Sequence, residues 1–194
     1  MYDFYAYMAR MKLIRRWSLM RSVQPENDAE HSLQVAMIAH ALALIGRERY
    51  GREVSPERAA LLAVYHDATE VLTGDLPTPV KYHSEELRGA YRTLEDQAAE
   101  RLVAMLPEEL RPSFAPLFTE QDTLARRIVK AADRISAYVK CLEEERAGNR
   151  EFDAAAETVL ASIRAIDLPE VQDFMDTCAP AFTLTLDELN APVT

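Results

Sequence analysis

The residues able to do chemistry gather in Tyr65-His66-Asp67-Ala68-Thr69-Glu70, followed within a few positions by Asp75 and the loop Leu76-Pro77-Thr78-Pro79. A histidine, an adjacent aspartate and two further carboxylates stand at the end of the apolar run Ala59-Ala60-Leu61-Leu62-Ala63-Val64. An ionisable side chain in apolar surroundings is costly unless it is paired or holds a metal. On a continuous helix Glu70 lies one turn beyond His66 and on nearly the same face. The pattern reads as a metal site with a catalytic carboxylate beside it, and the rest of the chain must supply the missing ligands.

Two further residues are candidates. His31 stands four positions before Val35 on the stripe Val35, Ile38, Leu42 and Ile45, so it faces inward from the first turn of a helix. Asp133 interrupts the stripe of a long core-forming helix that carries Leu124, Ile128, Ile135, Val139 and Leu142. Taken singly, His31 reads as a satisfied core histidine and Asp133 as half of a salt bridge with Lys130 or Arg134. Taken together, His31, His66, Asp67 and Asp133 make a mixed nitrogen and oxygen set suited to Mn, Co, Ni, Fe or Zn. His40 falls off the stripe and reads as a surface or partly buried residue.

The elements that must position these groups are helical. The 194 residues include only 5 glycines, and one domain spanning residues 1–194 is the expectation. Helices are predicted over residues 3–16, from Asn27 to about 46, from a Ser55-Pro56 start to Thr73-Gly74, and over 84–106, 121–147, 151–166 and 169–178. Asn27 and Glu30 have the spacing of a capping box. Residues 107–119, with three prolines, read as short turns, and Phe182, Leu184 and Leu186 as an extended tail before a last helical turn. The expected architecture is all-α, a bundle of about six to eight helices.

The net charge is −10, which argues against a nucleic-acid polymer as partner. Residues 1–25 nevertheless carry Arg10, Lys12, Arg15, Arg16 and Arg21 against Asp3 alone, a local surplus of +4 able to meet a small anion. No apolar run reaches the roughly 18 residues of a membrane span. Cys141 and Cys178 have no ligand spacing and read as reduced residues of a cytoplasmic protein.

The order His…His-Asp…Asp is similar to that of the HD-domain phosphohydrolases, and most of the chain resembles the YfbR-type bacterial 5′-deoxynucleotidases. The resemblance is carried by Leu13-Ile14-Arg15-Arg16-Trp17, Glu30 through Ala36, Tyr65-His66-Asp67, the long stretch Glu70 to Lys81, and Tyr138 through Glu144. It thins after about residue 150 and departs around His83. It implies a single HD domain that removes phosphate from 2′-deoxyribonucleoside 5′-monophosphates and rejects ribonucleotides. It implies one divalent ion, cobalt first, with Mn, Cu, Ni, Fe or Zn as alternatives, on His31, His66, Asp67 and Asp133. Arg16, Glu70 and Asp75 would act in catalysis. Arg16, Trp17, His31, Asp67, Asp75, Leu76, Pro77, Thr78, Lys81 and Asp133 would meet the substrate, and the family is homodimeric.

The chemistry suits these residues. A monoester phosphate carries up to two charges and resists attack, so neutralisation by a metal and by the planar fork of an arginine is what hydrolysis needs. Whether Asp75 is the acid to the leaving oxygen or orients water with Glu70 is open, as is whether Trp17 crowds the sugar or anchors the first helix. The competing readings are an HD enzyme acting on deoxynucleoside triphosphates or another nucleotide, a non-catalytic metal-stabilised helical interaction protein, and a first helix that anchors at a membrane surface.

Overall fold

The computed structural model describes residues 1–81, 83–121 and 123–190. Residue 122, at the expected start of the long helix, and residues 191–194 of the expected single domain lie outside the described residues. The α-helices are α1 (Phe4–Met8), α2 (Asp28–Tyr50), α3 (Pro56–Val64), α4 (Glu70–Thr73), α5 (Thr78–Lys81) and α6 (Glu85–Ala104). They continue with α7 (Arg111–Thr119), α8 (Leu124–Arg146), α9 (Asp153–Arg164), α10 (Pro169–Thr177) and α11 (Leu186–Leu189). Seven of them have nine residues or more, and the others are one turn or slightly longer. The described residues contain no strand, only an isolated antiparallel bridge between Arg15 and Asn27. The fold is all-α.

Two 23-residue helices, α2 and α8, lie against each other at the centre. Helix α2 begins where the Asn27 side chain accepts from the backbone N–H groups of Ala29 and Glu30, both at 3.1 Å, and it stops at Gly51, whose φ of 61° suits glycine. It is flanked by α3, α8 and α10, so Val35, Ile38, Ala39, Leu42 and Ala43 are all buried rather than a single narrow stripe. Helix α3 opens with the Ser55 hydroxyl accepting from Arg58 N at 3.0 Å. Its Arg58 pairs with Glu120 at the end of α7. Phe4 of α1 is fully buried with its ring 5.3 Å from Phe114, edge-on.

Four predicted boundaries are corrected. The segment 3–16 is not one helix: α1 ends at Met8, a 3₁₀ turn covers Met11–Leu13, and the chain is extended at Ile14. There Arg16 N donates to Glu26 O at 3.1 Å and Asp28 N to Ile14 O at 3.2 Å, so pairing with the segment before α2 replaces helical bonds. The helix from Ser55 does not run to Thr73 but breaks after Val64. Residues 107–119 are not merely turns, because Pro112 occupies the first turn of α7, where no donor is needed, and only Pro116 lies inside. The tail is mainly a 3₁₀ turn, Ala179–Thr183, that places Phe182 against the core. Among the described residues both cysteines are free, Cys141 buried and Cys178 exposed.

A buried ion pair fastens the segment before α2 to α8. Lys140 donates to Glu144 and to Gln24 O, while Glu144 accepts from Val23 N at 2.8 Å, Gln24 N at 3.1 Å and Asn149 Nδ2 at 2.7 Å. Burial pushes the Glu144 carboxyl up, but these donors outweigh it and bring it down to about 2. A carboxyl depressed in the folded state adds stability above its unfolded value, and that stability is lost as pH falls toward the folded value. The wild-type advantage over Glu144→Gln should therefore shrink by on the order of 3 kcal/mol between about pH 5 and pH 2. Thermal unfolding of both proteins across that range checks this; a constant difference would contradict it.

Candidate metal centre

Helix α3 ends at Tyr65, and residues 65–69 continue as tighter turns before α4. The cause is local. Ala63 O accepts from His66 N at 3.3 Å and from the His66 ring Nδ1 at 2.7 Å, so the carbonyl that would continue the helix is taken. His66 and Asp67 are thereby turned toward α2 and α8. Glu70 does not share a continuous helix with His66, as the sequence spacing suggests; it opens α4 instead.

The four residues meet. His31 Nε2 lies 3.0 Å from Asp133 Oδ1 and 3.7 Å from Asp67 Oδ2. His66 Nε2 lies 3.1 Å from Asp67 Oδ2 and 4.0 Å from Asp133 Oδ1. Both rings are held from behind. Ser136 Oγ donates to Gln34 Oε1, so it accepts from His31 Nδ1 at 3.1 Å, and Glu26 Oε1 accepts from the same nitrogen at 3.2 Å. With Nδ1 of each ring committed to an acceptor, each Nε2 is left to face the carboxylates. His66 Nε2 is buried without a hydrogen-bond partner. Two lone pairs aimed at two carboxylates repel unless a cation or proton stands between them. One ligand atom from each of His31, His66 and Asp133 lies within 4.8 Å of the others, and with Asp67 this donor set fits a divalent ion.

Arg16 is also at this point. Its Nη1 donates to Asp67 Oδ2 at 3.0 Å and lies 3.9 Å from Asp28 Oδ1, its Nη2 is 4.0 Å from Asp133, and its Nε is 3.7 Å from Glu26. The bridge between Arg15 and Asn27 holds it there. Trp17 follows with φ of 57°, a strained value for a bulky residue, donates its indole N–H to Glu26 Oε2 at 2.7 Å, and lies against Phe152 with ring centroids 5.2 Å apart.

The YfbR-like family, described as 5′-deoxynucleotidase YfbR-like, matches residues 3–182. A 5′-deoxynucleotidase of Vibrio parahaemolyticus is 53% identical over 192 residues, covering 96% of this chain and 97% of that protein. The 5′-deoxynucleotidase YfbR of Escherichia coli is 51% identical over 189 residues, covering 96% and 95%. The chain belongs to the YfbR-like family. An HD-domain phosphohydrolase from Listeria innocua has the same fold with a TM-score of 0.81 at 25% identity, covering 93% of this chain and 88% of its own. The YfbR-like chain is accordingly a metal-binding hydrolase with an HD-type helical fold and a candidate His/Asp metal site.

Electrostatics separate the acids of this YfbR-like site. Burial would raise Asp67, but His66, Arg16 and His31 hold it well below the usual carboxylate range. Burial, then the charges of Asp67, Asp28 and Asp75, push Glu70 up to about 10. Burial raises Asp75 too, and the charges of Arg16 and Asp67 act on it in opposite directions. Leu76 and Pro77 are half-buried and Thr78 is exposed. Lys81 turns to Glu95 at 2.8 Å and to the Tyr91 ring. His40 and His83 are exposed.

Glu26, Asp28 and Ser136 were not legible as site residues; of the expected capping box, Asn27 accepts from Glu30 N at 3.1 Å, and Glu30 itself is exposed. For Asp28 a signal exists: three positions before His31 on one helix puts both on the same face. For Ser136 the signal is the same spacing from Asp133. Glu26 precedes the helix, where no periodicity applies.

Proposed function

We propose that the chain hydrolyses 2′-deoxyribonucleoside 5′-monophosphates to deoxynucleoside and phosphate, with selection against ribonucleotides. The observation that carries the reading is the convergence of two ring-locked Nε2 atoms, Asp67 and Asp133 beside the guanidinium of Arg16. The 53% and 51% identical relatives are named 5′-deoxynucleotidases, which supports the substrate class.

His31, His66, Asp67 and Asp133 would hold one divalent ion, cobalt first among Mn, Cu, Ni, Fe and Zn. A bound ion supplies charge neutralisation at the phosphoryl group and a more acidic water. Arg16 binds the remaining phosphate oxygens with its planar fork. Glu70 orients the attacking water. Asp75, also raised, protonates the leaving 5′-oxygen. Trp17 and Leu76-Pro77-Thr78 crowd the sugar, and Lys81 would meet the substrate. A 2′-hydroxyl buried there without a partner costs about 1–3 kcal/mol.

The test is phosphate release from dAMP and AMP by metal-stripped protein, with and without cobalt or manganese. Release from dAMP that requires metal, with little from AMP, is expected; pyrophosphate or triphosphate release from dATP instead would overturn the substrate. Trp17→Ala should raise AMP turnover relative to dAMP about tenfold. An unchanged ratio would remove Trp17 from sugar selection and leave it as an anchor on Phe152.

We further propose that residues 1–194 work as one domain and as a homodimer in the cytoplasm. Leu33 and Met37 of α2 and Leu61 and Val64 of α3 are exposed apolar residues able to meet a second copy. Among the described residues no helix is long and apolar enough to cross a membrane. Light scattering on the purified chain measures the dimer directly.

A further inference from the structure

We propose that Asp28, Asp67 and Glu70 form a second cation site, for a hard divalent ion such as Mg²⁺ or Mn²⁺, next to the histidine-containing site and sharing Asp67 with it. One carboxylate oxygen from each of the three lies within 4.8 Å of the others. This inference goes beyond the proposed hydrolysis and does not need it.

Asp28 carries the argument. Its side chain is 0% exposed, and its oxygens accept from no N–H donor; the side chain that reaches it is the Glu70 carboxyl. Its nearest cation, Arg16 Nη1, is 3.9 Å away and spends its hydrogen bond on Asp67 instead. Glu70 Oε2 is likewise buried and without a partner. A helix N-terminus can stabilise an acid at its first position, but a solvent-facing acid would gain that too. Asp28 is instead turned inward by its register with His31. Buried carboxylates left so are tolerated when they are neutralised or coordinate an ion.

The charge around the site points the same way. Glu26, Asp28, Asp67, Glu70, Asp75 and Asp133 all act on Arg16 or lie within ion-pair distance of it. With all six ionised, one divalent ion and one guanidinium leave three of these acids without a compensating charge. A second divalent ion compensates two more. The donor sets also differ in kind: two imidazoles beside carboxylates favour a borderline metal, whereas Asp28, Asp67 and Glu70 offer oxygen alone, the choice of Mg²⁺ and Mn²⁺. A carboxylate shared between two ions is the usual bridge in two-metal hydrolytic sites. The competing account is a proton shared between Asp28 and Glu70, which would satisfy both acids without an ion.

The experiment uses the full chain, stripped of metal and titrated with Mn²⁺ alone, with free Mn²⁺ read by electron paramagnetic resonance and bound Mn²⁺ by elemental analysis after dialysis. Two Mn²⁺ per chain are expected for the wild type, one for Asp28→Asn and one for Glu70→Gln. Added Mg²⁺ should release one of the two. Low-temperature spectra should show an exchange-coupled pair in the wild type that both variants lose. Removal of a buried charge should leave the helical circular dichroism of Asp28→Asn unchanged; if that variant does not fold, Glu70→Gln decides. One Mn²⁺ per chain in the wild type up to millimolar concentration, or two in both variants, overturns the site and favours the shared proton. The stoichiometry is read without substrate, so failure of this site and failure of the hydrolase reading are separate results.

Discussion

Asp67→Ala should lower metal-dependent dAMP hydrolysis by about 10⁴-fold and abolish retention of the ion through dialysis. Asp67 stands where every positive group of the site converges: its Oδ2 is 3.0 Å from Arg16, 3.1 Å from His66 Nε2 and 3.7 Å from His31 Nε2. Removing it deletes a proposed ligand, leaves His66 Nε2 without its nearest carboxylate and releases Arg16. A 10⁴-fold loss corresponds to about 5.4 kcal/mol of transition-state stabilisation, within what charge neutralisation at a phosphoryl group supplies. The fold should survive, because Arg16 retains Glu26, Asp28 and Asp133 within 4.0 Å. The checks are kcat/KM with dAMP and bound metal per chain. A variant that keeps its ion and stays within tenfold of the wild type would remove Asp67 from the metal site. Asp67→Asn, which keeps an oxygen but no charge, should fall between the two.

What the sequence made legible follows physical lines. Helices with strong periodicity and caps, α2 from Asn27 and α3 from Ser55, are found where caps and stripes place them. The inward direction of His31 followed from its register with Val35, and both are buried. What escaped periodicity are the places where side chains compete with helical bonds. His66 takes the Ala63 carbonyl and unwinds the chain for one turn, and Arg16, the last residue of an expected helix, is drawn out of it by Glu26 and Asp67. In both places local propensity yields to polar groups that meet across many residues of sequence, and these are the segments that build the site. The acid behind the site, Glu26, was hidden for the same reason: it precedes the helix, and its partner His31 lies on another element.

Lys140→Met should destabilise the protein by about 3–5 kcal/mol, the largest effect expected away from the metal site. The Lys140 and Glu144 side chains are only 4% and 1% exposed, so the substitution strands a buried carboxylate. In a chain of this size each kcal/mol shifts the melting temperature by roughly 2–4 °C, giving a fall on the order of 10 °C. The loss should reach the metal centre as well. Glu144 fixes the backbone of Val23 and Gln24, and two residues on Glu26 braces His31 Nδ1 and the Trp17 indole. Metal affinity should therefore fall although no proposed ligand has changed. The double variant Lys140→Met with Glu144→Gln separates the causes. It removes the stranded charge while keeping an oxygen for the Val23 and Gln24 N–H groups, and it should recover a substantial part of both the melting temperature and the metal affinity. If the double variant melts as low as Lys140→Met alone, the lysine stabilises α8 through its packing on Phe152, and the ion pair is not what ties the segment before α2 to the core.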